Sequence, residues 1–155
     1  MIWVPSEIDA WEPAQVTGSD AKTVSVKLLK SGKEAKIPGT VAKFDSIAPG
    51  SLEESCENLV DLESFSEGII LHHAKKRFQE DVIYTFVGSI LIALNPYKTV
   101  DIYGPKVLDN IFNLTKQNES VPPHVFSIGA AAVRNMRQDG KDQSVLISGA
   151  LHTSI

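Results

Sequence analysis

A chain of 155 residues with 43% hydrophobic and 22% charged residues has the makeup of a soluble globular protein, one ordinary domain or two small ones. Its formal net charge of −4 argues against broad nucleic-acid binding, which needs a basic face, and the one basic triplet, Lys75-Lys76-Arg77, reads as the solvated face of a helix. A lone cysteine, Cys56, excludes an internal disulfide and points to a reducing compartment; the short apolar runs exclude a membrane-spanning helix, and the early Glu7 and Asp9 argue against a secretory signal.

Residues 1–45 carry brief apolar runs: Ile2-Trp3-Val4, Ala14-Gln15-Val16, Val24-Ser25-Val26, Ile37 and Val41-Ala42. Turn residues separate them, at Gly18-Ser19-Asp20, Ser31-Gly32-Lys33 and Pro38-Gly39. Val24, Val26 and Leu28 alternate with polar neighbours, the period of a half-buried strand, so the segment predicts a small β-barrel. A barrel this small is expected to pack on something larger. Trp3 and Trp11 read as its packing residues rather than as a peptide-binding groove.

An acidic connection over 46–60 leads to helical signals. Ser64-x-x-Glu67 reads as a capping box, and Phe65, Ile69, Ala74 and Phe78 as one buried face. Gly68 costs that helix about 1 kcal/mol relative to alanine. His72 and His73 are adjacent, hence about 100° apart around a helix, which argues against a shared metal. Residues 82–86 and 90–94 predict a hairpin through Val87-Gly88-Ser89, apolar enough to need cover on both faces. A helix is expected over 105–114. Another is expected after Pro122-Pro123, burying Val125, Ile128, Ala132 and Met136 and ending at Gly140. Residues 145–147 read as a third buried strand.

The second hairpin strand runs directly into Asn95-Pro96-Tyr97-Lys98 and on to Tyr103. Loops after the carboxyl ends of buried strands are where open α/β sheets hold ligands. Asn95 can donate to and accept from a heterocycle edge, Pro96 offers a rigid wall, and Tyr103 a flat ring with a hydroxyl. These groups suit a purine. Taken alone, however, Asn-Pro is a common turn, and the turn reading outweighs the pocket.

Several ordered motifs resemble the myosin motor head. Glu67-Gly68-Ile69-Ile70-Leu71-His72-His73 is similar to its first helix, and Ile83-Tyr84-Thr85-Phe86-Val87-Gly88 to its first sheet strand. Ile90-Leu91-Ile92-Ala93-Leu94-Asn95-Pro96-Tyr97-Lys98 is similar to the second strand and purine loop. Pro123-His124-Val125-Phe126-Ser127-Ile128 and Gln143-Ser144-Val145-Leu146-Ile147-Ser148-Gly149 are similar to the helix and strand before the nucleotide loop. Residues from Trp3 to Val16 resemble the SH3-like barrel preceding many such heads.

The resemblance implies an α/β fold with a small all-β domain. An SH3-like barrel at 1–48 would precede the first part of a P-loop NTPase-type motor domain at 49–149, with a non-family tail at 150–155. It further implies an actin-based cytoskeletal motor working in the cytoplasm with ATP and Mg, and assigns adenine contact to Asn95, Pro96 and Tyr103, with Lys98 nearby. The family continues from Ser-Gly into Glu-Ser-Gly-Ala-Gly-Lys-Thr, whereas here Gly149 is followed by Ala150-Leu151-His152-Thr153-Ser154-Ile155. Ile155 stands where the phosphate-binding lysine would be, and the glycines of the anion nest are absent. A fragment that does not hydrolyse ATP is therefore expected; the alternatives are a non-catalytic binding module or a non-functional product. The family's neighbour for the 145–147 strand comes from much later in sequence, so that strand is expected either to shift register or to lie exposed.

Overall fold

The first strand sets up two faces. β1 (Ile2–Ser6) sends Ile2 and Val4 to one side and Trp3 to the other, and all three are buried. The computed structural model of the protein describes residues 1–53 and 56–149, so the expected 150–155 tail lies outside the described residues. The chain divides into two compact units, Met1–Pro96 and Tyr97–Ile155.

In the first unit β1, β2 (Ala10–Ser19), β3 (Thr23–Leu28) and β4 (Glu34–Pro38) form an antiparallel meander in sequence order. The β2–β3 turn is held by Asp20, whose Oδ1 accepts from the backbone N–H of Lys22 at 2.8 Å and of Thr23 at 2.7 Å. The chain then returns to the free edge of β1: Trp3 N–H donates to Asp45 O at 2.9 Å and Ile47 N–H to Met1 O at 3.0 Å. The result is a curled, SH3-like half-barrel. Its interior is Ile2, Val4, Ala14, Val24 and Val26, with Leu28, Ile37 and Phe44 around them. The alternation seen at Val24, Val26 and Leu28 is therefore the inner face. Val41-Ala42, expected as a strand, instead begins a single 3-10 turn, Val41–Lys43, that redirects the chain toward β1.

The outer face of β1 carries the second core. Trp3 packs with Ile47, Leu59, Leu62 and Ile69, the last from α1 (Glu67–Gln79). The barrel thus rests on the helix, as its size demanded. The expected capping box is displaced. Ser66 is the N-cap, its Oγ accepting from Ile69 N–H at 3.4 Å, while Ser64 Oγ is buried with no partner and Phe65 is 57% exposed ahead of the helix. Close packing explains Gly68: a Cβ there would sit 2.3 Å from Trp3 Cδ2.

The basic triplet is not uniformly solvated. Arg77 is buried; its Nε donates to Thr85 Oγ1 and a terminal guanidinium nitrogen to Tyr84 O, both at 3.0 Å. Lys75 pairs with Asp9 of the β1–β2 loop, and Lys76 Nζ donates to Glu53 O at 2.8 Å. His72 Nε2 reaches Leu52 O at 3.1 Å and His73 Nε2 reaches Ser51 O at 2.8 Å. A ring nitrogen facing a carbonyl donates, so α1 holds three consecutive carbonyls of the connection.

β5 (Tyr84–Val87) and β6 (Ile90–Ala93) form the expected hairpin, with Val87 opposite Ile90 across Gly88-Ser89. Gly88 has φ +62° and donates its N–H to Asn58 Oδ1 at 2.8 Å. Cover on both faces is not found. Tyr84 and Thr85 are buried, but Ile90 is 66% exposed, and among the described residues no third strand joins the pair.

In the second unit α2 (Pro105–Gln117) packs on α3 (Val125–Asp139). Pro105 opens α2 at its first turn and Gly140, at φ +64°, caps α3, as expected. The buried face of α3 differs from the expected one. Ser127 and Ala130 are buried, while Val125 is 44% and Met136 45% exposed. The small residues let α2 approach, with Ile111 and Thr115 buried on its side. Residues 145–147 form no strand. Leu146 and Ile147 are more than nine-tenths exposed, because no described strand lies beside them to take their backbone hydrogen bonds.

Candidate functional site

The purine-loop residues divide between the two units. Leu94 N–H still donates to Ile83 O at 3.0 Å, one step beyond β6, and the chain leaves the hairpin at Asn95. Asn95 is exposed and Pro96 half-buried, at the close of the first unit. Lys98 and Tyr103 belong to the second unit, where Lys98 is exposed and Tyr103 is 49% exposed. Between them Tyr97 takes a left-handed conformation at φ +51°, one that favours glycine or asparagine, and turns the chain.

The Tyr103 ring is built onto the start of α3. Its centroid lies 5.7 Å from that of His124 and 6.2 Å from that of Phe126, the latter edge to face. His124 and Phe126 are themselves 4.6 Å apart. His124 is the N-cap of α3: its Nδ1 accepts from Phe126 N–H at 3.0 Å. That leaves the proton on Nε2, which donates to Ile102 O at 3.0 Å. The imidazole is therefore neutral. Burial holds its pKa below the ordinary 6.5, opposed in part by the hydrogen bond to Ile102. Ser127 Oγ donates to Pro122 O at 2.7 Å and closes the same turn.

Sequence reasoning missed His124 and Phe126 as supports of the loop. The signal was Pro122-Pro123-His124 directly before an apolar helix, in the place usually held by Ser, Thr, Asp or Asn. Two clefts among the described residues lie elsewhere. One runs between α2 and α3 past Phe112, Thr115, Ala130 and Arg134; the other lies between the barrel and α1 past Trp11, Leu29 and His72. Neither is lined by Asn95, Pro96, Lys98 or Tyr103. Among the described residues no group of three His, Cys, Asp or Glu side chains gathers as for a metal ion.

A family model described as "Myosin head (motor domain)" matches residues 56–152, more than half of the sequence. The chain belongs to the myosin motor-head family. It is 32% identical over 149 residues to Myosin-14 of Mus musculus, covering 96% of this chain and 7% of that protein. It is 30% identical over 148 residues to the high molecular weight form of myosin-1 of Acanthamoeba castellanii, covering 96% of this chain and 9% of that one. Myosin-14 of Homo sapiens is 31% identical over 149 residues, 96% of this chain and 7% of that protein. The chain thus spans less than a tenth of the length of these relatives. The SH3-like half-barrel and the start of the motor domain are the parts of a myosin head present here.

A half-exposed tyrosine ring on a fixed backing suits the flat face of a base. The phosphates and Mg of a myosin nucleotide are a different matter. The six residues after Gly149 contain neither lysine nor glycine. Among the described residues no helix is long and apolar enough to cross a membrane.

Proposed function

We propose that this chain is the N-terminal part of an actin-based cytoskeletal motor that couples ATP hydrolysis to movement in the cytoplasm. The match of a myosin-head family model to residues 56–152 carries the reading. Within it, the barrel at 1–48 is a peripheral support and 49–149 is motor-domain sequence, while the tail at 150–155 lacks the family's Glu-Ser-Gly-Ala-Gly-Lys-Thr, although the family match itself runs to residue 152. Asn95, Pro96 and Tyr103 are the residues assigned to adenine contact in a complete motor, with Lys98 nearby in sequence. The chemistry of the side chains supports this assignment: an amide for the heterocycle edge, a rigid wall and an aromatic plate.

A polypeptide of these 155 residues neither turns over ATP nor binds it at micromolar concentration. Adenine's roughly ten heavy atoms, at about 0.3 kcal/mol each, give only about 3 kcal/mol, a dissociation constant weaker than about 1 mM. Calorimetric titration with ATP is expected to show no micromolar binding, and an isotherm in that range would overturn the reading of the fragment. The motor reading is tested in a head that joins residues 1–149 to a lysine-bearing phosphate loop and the rest of a related head. ATPase activity stimulated by actin filaments is expected. A folded head that binds ATP without responding to actin would refute it.

A further inference from the structure

We propose that His124 is the positioning residue for the Tyr103 ring. The inference rests on the adenine role proposed above for Tyr103. Three contacts converge on one imidazole. Nδ1 fixes it to the first turn of α3 through Phe126 N–H at 3.0 Å. Nε2 holds the carbonyl of Ile102, the residue immediately before Tyr103, at 3.0 Å. The ring itself backs Tyr103 at 5.7 Å, inclined at 53°. Backbone and side chain of the Ile102-Tyr103 segment are thus both referred to one buried group, 6% exposed, at the end of a 15-residue helix. Held by His124 on one side and Phe126 at an edge, the ring is kept in one of the rotamers open to a half-exposed tyrosine. Backing it in one orientation removes an ordering cost from ligand binding.

No other common side chain makes the same three contacts. Asparagine can cap the helix but has no ring, and phenylalanine has a ring but neither donates nor accepts. Made together, the two hydrogen bonds require the neutral imidazole with its proton on Nε2, because only the neutral ring can accept at Nδ1 while donating from Nε2. Protonation removes the Nδ1 acceptor, and burial disfavours the charged form. The charged side chains of the neighbouring elements point to solvent: Asp101 in the preceding segment, and Lys106, Asp109 and Lys116 on α2, are exposed. The first turn of α3 carries no acid. The Tyr103 phenol is a titratable group in ring contact with His124.

The test is nuclear magnetic resonance on the 155-residue chain, following the Tyr103 ring protons. In the unmodified chain these signals are expected to move with pH in step with the His124 imidazole's own titration. His124→Asn is expected to keep the α3 amide signals, because the cap acceptor remains, and to move the Tyr103 ring signals, because the imidazole that backs them is gone. Ring signals unchanged by both pH and His124→Asn would overturn the proposal. If the variant unfolds α3, the pH titration of the unmodified chain decides alone. Adenosine at several millimolar, near the limit set by base contacts alone, separates this inference from the adenine assignment. If adenosine shifts the Tyr103 signals in the unmodified chain and loses that effect in His124→Asn, both stand. If adenosine leaves Tyr103 unmoved while the response to His124→Asn persists, the adenine assignment fails and the positioning role stands. If adenosine shifts Tyr103 equally in both chains, the positioning role fails.

Discussion

Gly68→Ala sets two effects of opposite sign against each other. Alanine favours a helix by about 1 kcal/mol over glycine. Its Cβ, however, would lie 2.3 Å from the indole of Trp3, in a core where that indole is 1% exposed and has little room to move. Overpacking of this kind costs about 1–3 kcal/mol or more, so a net loss of stability is expected. Urea unfolding followed by tryptophan fluorescence reports on it, since the chain's two tryptophans, Trp3 and Trp11, are both in the first unit. Arg77 gives a second contrast. Arg77→Lys replaces a fork that serves Thr85 and Tyr84 together with a point charge, and is expected to cost about 1–3 kcal/mol by the same measurement. Lys75→Ala, one helix position from the buried side, is expected to change little, because its pairing with Asp9 is solvent-exposed. His124 supplies a pH dependence. Its pKa in the folded chain lies below the unfolded value near 6.5, so its stabilising contribution is complete above that value and is lost as pH falls toward and through the folded pKa. Exchange of the Phe126 amide, which Nδ1 holds, is expected to gain extra protection above that range and to lose it below.

At the scale of elements, the start of α1 shows how local patterns mislead by small offsets. The Ser64-x-x-Glu67 spacing marks Ser64 as the cap, whereas the helix is capped by the second serine of the segment, Ser66. The buried Trp3–Gly68 contact selects the second by fixing where the helix axis must pass. Ser66→Ala is therefore expected to cost about 1 kcal/mol. Ser64→Ala is expected to be neutral or slightly stabilising, since it removes a buried hydroxyl with no partner. Comparing the two urea midpoints checks the assignment, and a larger loss at Ser64 would restore the box. The helices of the second unit were easier to read. Pro105 and Gly140 mark their ends by backbone chemistry that needs no partner, whereas the buried face of α3 depends on what α2 brings to it. Small residues Ser127 and Ala130 line that face, so of the expected stripe Ile128 and Ala132 are half-buried while Val125 and Met136 are exposed.

For the molecule as a whole, apolar character and burial part company at 145–147. Val145 is 56% exposed, Leu146 93% and Ile147 91%. Their amides are expected to exchange almost as fast as in an unfolded chain, while those of β1–β3 exchange slowly. Slow exchange at 145–147 in a monodisperse monomer would show that the chain completes a sheet of its own. Exposed apolar residues of this kind, together with Ile90 on the β5–β6 hairpin, are also expected to promote association as concentration rises. Dynamic light scattering checks that directly. Substituting Leu146 and Ile147 by serine is expected to reduce it without altering tryptophan fluorescence.

What the sequence determined by itself were the features whose physics is local or repeated. Alternation at Val24, Val26 and Leu28 defined a strand, glycine and proline marked turns and helix ends, and an ordered series of motifs identified a myosin head. The purine-loop residues Asn95, Pro96, Lys98 and Tyr103 were legible only as chemistry at a strand end, because a single line of residues does not say what backs them. Tertiary structure decided the rest. It buried Arg77 beneath the β5 backbone, laid Trp3 over Gly68, and set His124 behind Tyr103. It also left 145–147 in solvent. Each of these outcomes depends on a group distant in sequence or on the lack of a described neighbour. Burial belongs to pairs of surfaces, and a residue's own hydrophobicity states only what it would gain if a partner came.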